Sequence, residues 1–318
     1  MRAAVVTSFD MPPTCRDFPA PAPQSPDEVL VDVIAAGLHP RVRSQAAGRH
    51  YTSSEKLPLV PGIDGVGRTP DGTLRYFILP DTSMGAMAEQ TVIDLRRSVV
   101  LPEGCDPVLI AAAMNPGMSS WVALRQRIAF APGEQVLVLG ATGNAGRMAV
   151  QVAKRLGASH VIGVGRRPEL LTALIALGAD QTVTLDDAPA GFAQHLGRAA
   201  SEVDVVIDYL WGQPTADSML AIVTNRTDRE RPLTWIEVGS VAGPTTAVPS
   251  AALRAARLQI VGSGQGSVPT NDILAELPDL ITEITRGTFQ IDALPIPLSD
   301  IETAWSLTAG QQRVVIMP

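Results

Sequence analysis

The segment that most constrains the fold of this chain is a glycine-rich turn set between an apolar run and an amphipathic stretch. Residues 135–157 read QVLVLGATGNAGRMAVQVAKRLG. The short apolar run before Gly140 predicts a buried strand. After the turn, apolar residues recur at helical spacing from Ala145 to Leu156, and Gly157 is a typical helix stop. The segment therefore predicts a strand that passes through a tight turn directly into a helix.

The spacing of the three glycines, G-x-x-G-x-x-G, is a variant of the dinucleotide-binding fingerprint. The first glycine permits the turn, the second lets the backbone approach a pyrophosphate, and the third lets the helix pack against the strand. The helix start also offers free N–H groups to phosphates. The alternative is a purely structural turn in an unrelated α/β fold. We predict that the cofactor is bound here by Gly140, Thr142, Gly143, Asn144, Ala145 and Gly146.

The end of the next strand indicates which dinucleotide is bound. A site for NAD places Asp or Glu there to bind the ribose hydroxyls. This strand instead ends in Gly165, Arg166 and Arg167, followed by Pro168 at a helix start. Two guanidinium groups suit a 2′-phosphate. The alternative is an exposed basic pair, although cations are unfavourable at a helix N-terminus. The sequence therefore predicts NADP(H) as the cofactor.

The pattern along the whole chain predicts two domains. Short Val-rich segments separated by Gly and Pro fill residues 1–115 and predict a compact barrel of short strands. From about residue 119, apolar runs alternate with helical stretches. The runs are Gln135–Leu139, His160–Val164, Gln181–Leu185, Val203–Ile207, Leu233–Val238 and Leu258–Val261. We predict a Rossmann-type doubly wound parallel sheet in residues 119–265, and a second domain from residues 1–118 and 266–318.

Composition and charge exclude several classes of protein. The 318 residues include 32 Asp and Glu against 25 Lys and Arg, a net charge of −7, so we expect neither a nucleic-acid nor an anionic-membrane partner. No apolar run approaches the roughly 18 residues of a membrane span, and the N-terminus lacks a signal-peptide pattern. The two cysteines suggest neither a disulfide framework nor a cysteine-based metal site. These features predict a cytoplasmic protein.

In order and spacing, several motifs make the chain resemble the medium-chain dehydrogenase/reductase superfamily, on its zinc-free quinone oxidoreductase branch. Besides the glycine turn, the motifs are AAGLHP (35–40), LVPGIDGVG (59–67), GAMAE (85–89), DVVID (204–208), EVGS (237–240) and RVVI (313–316). The resemblance implies a GroES-like β-barrel built from the N- and C-terminal parts. It also implies hydride transfer from NADPH to a quinone or an α,β-unsaturated carbonyl compound, and a homodimer.

The same resemblance allows the family's zinc ligands to be tested by position. The first ligand falls at His39, which could bind a metal. The second falls at Ile63, which cannot, and the third falls near Met114–Ser120, where there is no cysteine. A catalytic zinc needs three protein ligands. We therefore expect no metal.

Two side chains are candidates for supplying a hydrogen bond or a proton to the substrate. His39 stands where the zinc-free branch often has Asn in a Gly-x-Asn-Pro motif. Tyr51 is displaced by about one residue from the position at which related alkene reductases carry a tyrosine. For both, the alternative is an ordinary local hydrogen bond in a loop.

Further cofactor contacts are predicted toward the nicotinamide. The segment beginning at Asn115 matches the family segment that passes beside this ring. Gly239 with Ser240 and Gly262 with Ser263 end two strands of the predicted sheet, and ligands bind outside the carboxyl ends of such strands. A plain strand-ending turn is the alternative for Ser263.

Two other functions stay open at this point. The chain could be a non-catalytic NADPH-binding protein, a sensor or structural member, because His39 and Val42 depart from the family pattern. It could also be an enoyl-thioester reductase, which predicts a basic patch for a nucleotide tail. Arg41, Arg43 and Arg49 are candidates for that patch, and a solvated loop face is the commoner explanation.

Overall fold

The chain folds into two units. The computed structural model describes residues 1–50, 52–53, 56–185, 189–307 and 312–318. The terminal unit consists of Met1–Asn115 and Leu277–Pro318, and the central unit of Pro116–Glu276. The sequence predicts that the chain passes from one domain to the other after residues 118 and 265. In the structure the two boundaries between the units lie at Asn115/Pro116 and Glu276/Leu277, and each of them falls inside a helix.

The first part of the terminal unit consists mostly of short strands. Its elements are β1 (Arg2–Val5), β2 (Thr14–Asp17), β3 (Glu28–Gly37), α1 (Pro40–Ala46), β4 (Asp64–Arg68), β5 (Leu74–Ile78), β6 (Gln90–Asp94) and β7 (Ser98–Val100). Helix α2 (Pro107–Val122) follows and continues as a π-helical turn over Ala123–Arg127.

The central unit alternates strands and helices. Its elements are β8 (Gln135–Leu139), α3 (Asn144–Arg155), β9 (His160–Gly165), α4 (Pro168–Ala176), β10 (Gln181–Thr184), α5 (Pro189–Ala199), β11 (Val205–Asp208), α6 (Gly212–Asn225), β12 (Leu233–Glu237), α7 (Ser250–Ala255) and β13 (Leu258–Gly262). The chain ends with α8 (Thr270–Thr285), β14 (Ala293–Pro297), α9 (Ile301–Ser306) and β15 (Arg313–Met317).

The sheet of the terminal unit joins both ends of the chain. Its strand order over the described residues is β14-β15-β3-β4-β5-β7, and β6 also pairs with β3. β15 is antiparallel to β3, with Ile316 opposite Ala36. Alternate residues of β3, such as Val31 and Val33, are buried in a core that includes Phe77. The prediction that N- and C-terminal parts form one mostly β unit is therefore confirmed.

The sheet of the central unit is parallel throughout, with order β10-β9-β8-β11-β12-β13 over the described residues. Helices flank such sheets on both faces, which explains the nearly continuous apolar runs of its strands. Leu137, Ile162 and Trp235 are among its fully buried side chains. The order reverses between β8 and β11, which is where open α/β sheets bind ligands. The predicted Rossmann-type doubly wound sheet is confirmed.

Helix α2 is the largest element that the sequence patterns do not predict. Its apolar residues Ile110–Met114 are buried, and Pro116 lies inside it. A proline removes one backbone hydrogen bond and usually ends a helix, but burial of the surrounding side chains outweighs that loss here. Among the described residues, Pro107–Arg127 is one helix that is long and apolar enough to cross a membrane, and 67% of its apolar 18-residue window is buried within the protein.

Candidate functional site

The glycine turn between β8 and α3 is held by backbone contacts. Gly140 has a φ of +83°, which L side chains rarely adopt. The N–H groups of Gly140 and Ala141 both donate to the carbonyl of Val164, at 3.0 and 2.9 Å, and tie the turn to β9. A Cβ on Gly146 would lie 2.6 Å from the Cα of Ala141 and would also overlap the carbonyl oxygen of Gly140. The first and third glycines are therefore required by the turn itself.

Gly143 is different, because nothing within the turn requires it to be glycine. It is exposed, its φ is −79°, and the nearest atom to an added Cβ would be the carbonyl oxygen of Gly140 at 3.6 Å. Gly143 is also the N-cap of α3, and the first N–H groups of any helix find no acceptor within the helix itself. The space that a Cβ would fill, together with the N-terminus of α3, fits a bound pyrophosphate.

The end of β9 lies directly beside this turn. A Cβ on Gly165 would stand 2.5 Å from Cγ2 of Thr142, so the strand end and the turn are in close contact. Arg166 and Arg167 follow and are exposed. In the described part of the chain, neither guanidinium has an ion-pair or hydrogen-bond partner. Two unpaired cations beside an open glycine turn fit the phosphates of NADP(H) and leave no acid at the place where NAD would need one.

The loop after β11 forms the other side of the switch point, and the sequence patterns do not single it out. Asp208 is fully buried and accepts four hydrogen bonds, two of them at Oδ1 from the N–H groups of Leu210 and Trp211, at 2.8 and 3.0 Å. Its Oδ2 accepts from the hydroxyl of Thr215 and from the indole of Trp235, at 2.5 and 2.9 Å. These bonds hold Trp211 at a φ of +52°. An acid that ends a buried apolar strand is the signal by which Asp208 can be found.

Tyr209, in the same loop, connects three parts of the central unit. Its hydroxyl lies 2.8 Å from Oγ of Ser119, and burial raises its pKa to about 12, so it is a protonated phenol at neutral pH. If Gly140 carried a Cβ, that atom would lie 3.4 Å from the Cβ of Tyr209, and a Cβ on Gly239 would lie 3.3 Å from the carbonyl oxygen of Tyr209. The glycine turn, the β11 loop and the end of β12 therefore meet at one place.

The remaining predicted cofactor residues are more scattered. Ser240 is exposed next to Gly239. Gly262 ends the edge strand β13, where its carbonyl oxygen accepts from Nε of Arg127 at 2.7 Å. The N–H of Ser263 donates to the carbonyl of Glu237 at 2.8 Å. Asn115 is half-buried within α2, at the end of the first segment of the terminal unit. The structure places Gly239 against Tyr209, which also contacts Gly140, and it leaves Gly262 and Ser263 two strands away from β11.

In the terminal unit, His39 belongs to a buried polar cluster. Its Nε2 lies 2.9 Å from Oδ1 of Asp64, and the hydroxyl of Tyr76 donates to Oδ2 of Asp64 at 2.8 Å. His39, Asp64 and Tyr76 are each no more than 1% exposed. Nδ1 of His39 has no hydrogen-bond partner among the described residues, a state that costs about 1–3 kcal/mol in a buried site. Such orphaned atoms mark a place for a ligand or a water molecule.

Burial governs the ionisation of this cluster. It lowers the pKa of His39 below its ordinary value, and the neighbouring Asp64 opposes this effect. It raises the pKa of Tyr76 well above its ordinary value, aided by the charge of Asp64. Burial also lowers the pKa of Arg313 to about 10, again opposed by Asp64. At neutral pH, Arg313 is thus charged and Tyr76 protonated. The other candidate for substrate contact, Tyr51, lies outside the described residues.

The cluster does not fit a catalytic zinc ion. Ile63, at the second ligand position, is a buried hydrocarbon side chain. His39 already uses Nε2 to bond Asp64. No grouping of three His, Cys, Asp or Glu side chains able to hold a metal occurs within the described ranges. Three protein ligands are needed, so this donor set cannot hold the metal.

The basic patch required by the thioester alternative is partly occupied by structural contacts. The guanidinium of Arg43 donates to the carbonyls of Ala304 and Leu307, at 3.2 and 3.1 Å, and to that of Trp305. It also stacks 5.4 Å from the ring centroid of Trp305. Arg41 forms an ion pair with Asp81 at 3.4 Å. Arg43 therefore caps the C-terminal end of α9, where a cation is favourable.

Replacement of Arg43 by alanine is expected to lower the free energy of unfolding by about 1–2 kcal/mol, because three charge-assisted bonds and a cation–π contact are lost. Arg49→Ala is the matched control, since this neighbouring arginine is exposed, and a change below about 0.5 kcal/mol is expected for it. Urea unfolding of both variants measures the difference. Equal effects of the two substitutions would show that Arg43 does not cap α9.

Comparisons with known proteins agree on one group of relatives. Residues 145–283 match the family described as zinc-binding dehydrogenase. A probable NADPH-dependent quinone reductase from Emericella nidulans is 32% identical over 362 residues, which cover 100% of both chains. A trans-enoyl reductase from Aspergillus terreus is 27% identical over 60% of this chain and 59% of its own. The quinone oxidoreductase of Thermus thermophilus, solved also with NADPH, is 25% identical, with a TM-score of 0.83 and 100% of each chain covered.

Proposed function

The chain belongs to the medium-chain dehydrogenase/reductase superfamily, in its quinone oxidoreductase-like branch, and from this premise we propose that it is an NADPH-dependent, zinc-free reductase of quinones or α,β-unsaturated carbonyl compounds. The observation that carries the proposal is the open glycine turn with two unpaired, exposed arginines beside it in the described part of the chain. Full-length similarity to a probable NADPH-dependent quinone reductase supports it.

The central unit holds the cofactor. The pyrophosphate is bound along the turn and the start of α3 by Gly140, Thr142, Gly143, Asn144, Ala145 and Gly146, and the backbone N–H groups at the start of the helix are the donors. Gly165 gives the strand end room, and Arg166 and Arg167 bind the 2′-phosphate. Toward the nicotinamide, the contacts come from Asn115, Gly239, Ser240, Gly262 and Ser263. When bound, NADPH supplies the hydride of the reaction.

The terminal unit contributes to the substrate side. His39 or Tyr51 hydrogen-bonds the substrate oxygen on which negative charge develops. A quinone or an enone needs only such a donor and a proton, because its electron-poor carbon accepts hydride readily. An ordinary alcohol needs a Lewis acid to stabilise its alkoxide, and the described residues around His39 do not provide a zinc site. For this reason we propose quinones and enones as substrates, and not ordinary alcohols.

We propose further that the protein is a cytoplasmic homodimer without nucleic-acid or membrane partners. β13 is the edge of the central sheet over the described residues, and an edge strand can pair with another chain. Its residues Ile260 and Val261 are only half-buried. Light scattering should give twice the 33.5 kDa mass of the chain. A monomer at micromolar concentration would contradict the dimer.

The function is tested by following NADPH oxidation with a panel of quinones and enones. We expect turnover with NADPH, a clear preference over NADH, and no loss of rate after treatment with a strong zinc chelator. A rate that falls with chelator would contradict the zinc-free mechanism. Tight NADPH binding without turnover of any acceptor would favour a non-catalytic NADPH-binding protein.

A further inference from the structure

Three buried side chains from separate elements form a hydrogen-bonded row in the terminal unit. His39 directly precedes α1, Asp64 begins β4, and Tyr76 lies in β5, the strand paired with β4. The carboxylate stands between the other two, with one oxygen toward each. The proposed function gives no role to Asp64 or Tyr76. Burial of a carboxylate such as Asp64 is costly unless its hydrogen-bond partners are well placed.

The partners of Asp64 determine which ring nitrogen of His39 carries a proton. The Tyr76 hydroxyl donates to Oδ2. The negative charge of Asp64 acts on the buried guanidinium of Arg313 and on the imidazole of His39. An ionised carboxylate only accepts hydrogen bonds. Nε2 of His39, 2.9 Å from Oδ1, must therefore be the protonated nitrogen. The nitrogen left over is Nδ1, which has no partner among the described residues.

We propose that Asp64 is a positioning residue for His39: by accepting the Nε2 hydrogen bond it leaves Nδ1 as the only ring atom through which His39 can bond the oxygen of a bound quinone or enone. This inference rests on the proposed function. Tyr76 supports the arrangement by holding the second oxygen of Asp64. Such an outer partner fixes both the tautomer and the orientation of an imidazole.

The proton step follows from this assignment. When His39 is protonated, the N–H bond at Nδ1 breaks as an O–H bond forms on the substrate oxygen, and the hydride of the proposed reaction supplies the electron pair at carbon. His39 is then neutral, and its Nδ1 accepts a hydrogen bond from the new hydroxyl. The imidazole recovers its proton from solvent before the next turnover. Charge and atoms balance without another reductant.

The charges around His39 give this step a pH dependence of known sign. Asp64 favours the protonated imidazole, whereas burial, Arg313 and Arg41 disfavour it, and burial is the largest effect. The pKa of His39 is therefore below its ordinary value. The reaction needs the protonated ring, so turnover is expected to fall as the pH rises through that lowered pKa.

The matched variant is Asp64→Asn, which keeps an acceptor oxygen for Nε2 and removes the charge. Loss of a carboxylate at hydrogen-bond distance should move the falling limb of kcat to lower pH by about 1 pH unit or more, with NADPH affinity unchanged. Exposed His195 provides the control, and His195→Gln should leave the limb in place. An unshifted limb in an active, NADPH-binding Asp64→Asn protein would overturn the assignment.

A second measurement needs neither activity nor a substituted protein. Nitrogen-15 NMR of the wild-type imidazoles should show His39 protonated at Nε2 and bare at Nδ1 above its pKa. The opposite tautomer would refute the role of Asp64, even if Asp64→Asn does not fold. Absence of turnover by the wild type would instead refute the proposed function, and the tautomer would still decide whether Asp64 positions His39.

Discussion

Replacement of both Arg166 and Arg167 by alanine is expected to weaken NADPH binding about 100-fold while leaving NADH binding within about a factor of 2. Each hydrogen bond between a guanidinium and a phosphate contributes about 1.5–3 kcal/mol, and screening by solvent at these exposed positions reduces the combined effect. A combined loss of about 2.7 kcal/mol corresponds to the 100-fold change. Fluorescence titration of the two cofactors measures both affinities.

A control variant that also loses two positive charges distinguishes specific binding by Arg166 and Arg167 from a general electrostatic effect on NADPH affinity. Arg254→Ala combined with Arg257→Ala also removes two cations from the central unit, near the edge strand β13 and away from the end of β9. That control should change NADPH affinity less than about threefold. Equal loss of NADPH and NADH binding in the first double variant would show that Arg166 and Arg167 do not recognise the 2′-phosphate.

The second large effect is expected at the glycine turn, where two substitutions of the same size should act differently. Gly146→Ala places a Cβ against the backbone of Gly140 and Ala141, which cannot move without breaking their hydrogen bonds to β9. We expect it to lower the free energy of unfolding by about 3 kcal/mol. Thermal or urea unfolding without cofactor measures this loss.

Gly143→Ala is the comparison, because its added Cβ meets only an ordinary van der Waals contact at 3.6 Å and its φ suits alanine. Its stability without cofactor should stay within about 0.5 kcal/mol of the wild type. Its NADPH affinity should fall at least about tenfold, since the Cβ occupies the space in which the pyrophosphate approaches the backbone. Unchanged affinity for NADPH in this variant would show that the pyrophosphate does not bind against the backbone at Gly143.

The central unit can be predicted closely from the sequence. The strand predicted at Gln135–Leu139 has the same bounds as β8, because a strand buried on both faces is a continuous apolar run with a glycine turn at its end. Helix α2 cannot be predicted in this way. Pro116 and Gly117 are local breaking signals, and only the burial of Ile110–Met114 by distant parts of the chain outweighs them.

For the candidate site, the sequence shows residue types but not their partners. Arg166 and Arg167 can be recognised because they occupy a position defined by a local motif. Asp64 is visible in the PGIDGVG motif, yet its contact with His39 spans 25 positions and depends on how β3 pairs with β4. The same holds for Tyr209, whose partner Ser119 is 90 positions away. Contacts between strands far apart in sequence leave no periodic signal.

The proposed hydride transfer is tested most directly by following a deuterium label carried at C4 of the nicotinamide of NADPH. The protein is incubated with labelled NADPH and an α,β-unsaturated ketone, and the product is analysed by mass spectrometry. We predict one deuterium in the saturated ketone, bound to carbon, from one of the two labelled C4 epimers and not from the other. A protein that binds NADPH yet leaves the label on the cofactor, with this ketone and with a panel of quinones unreduced, would contradict the account.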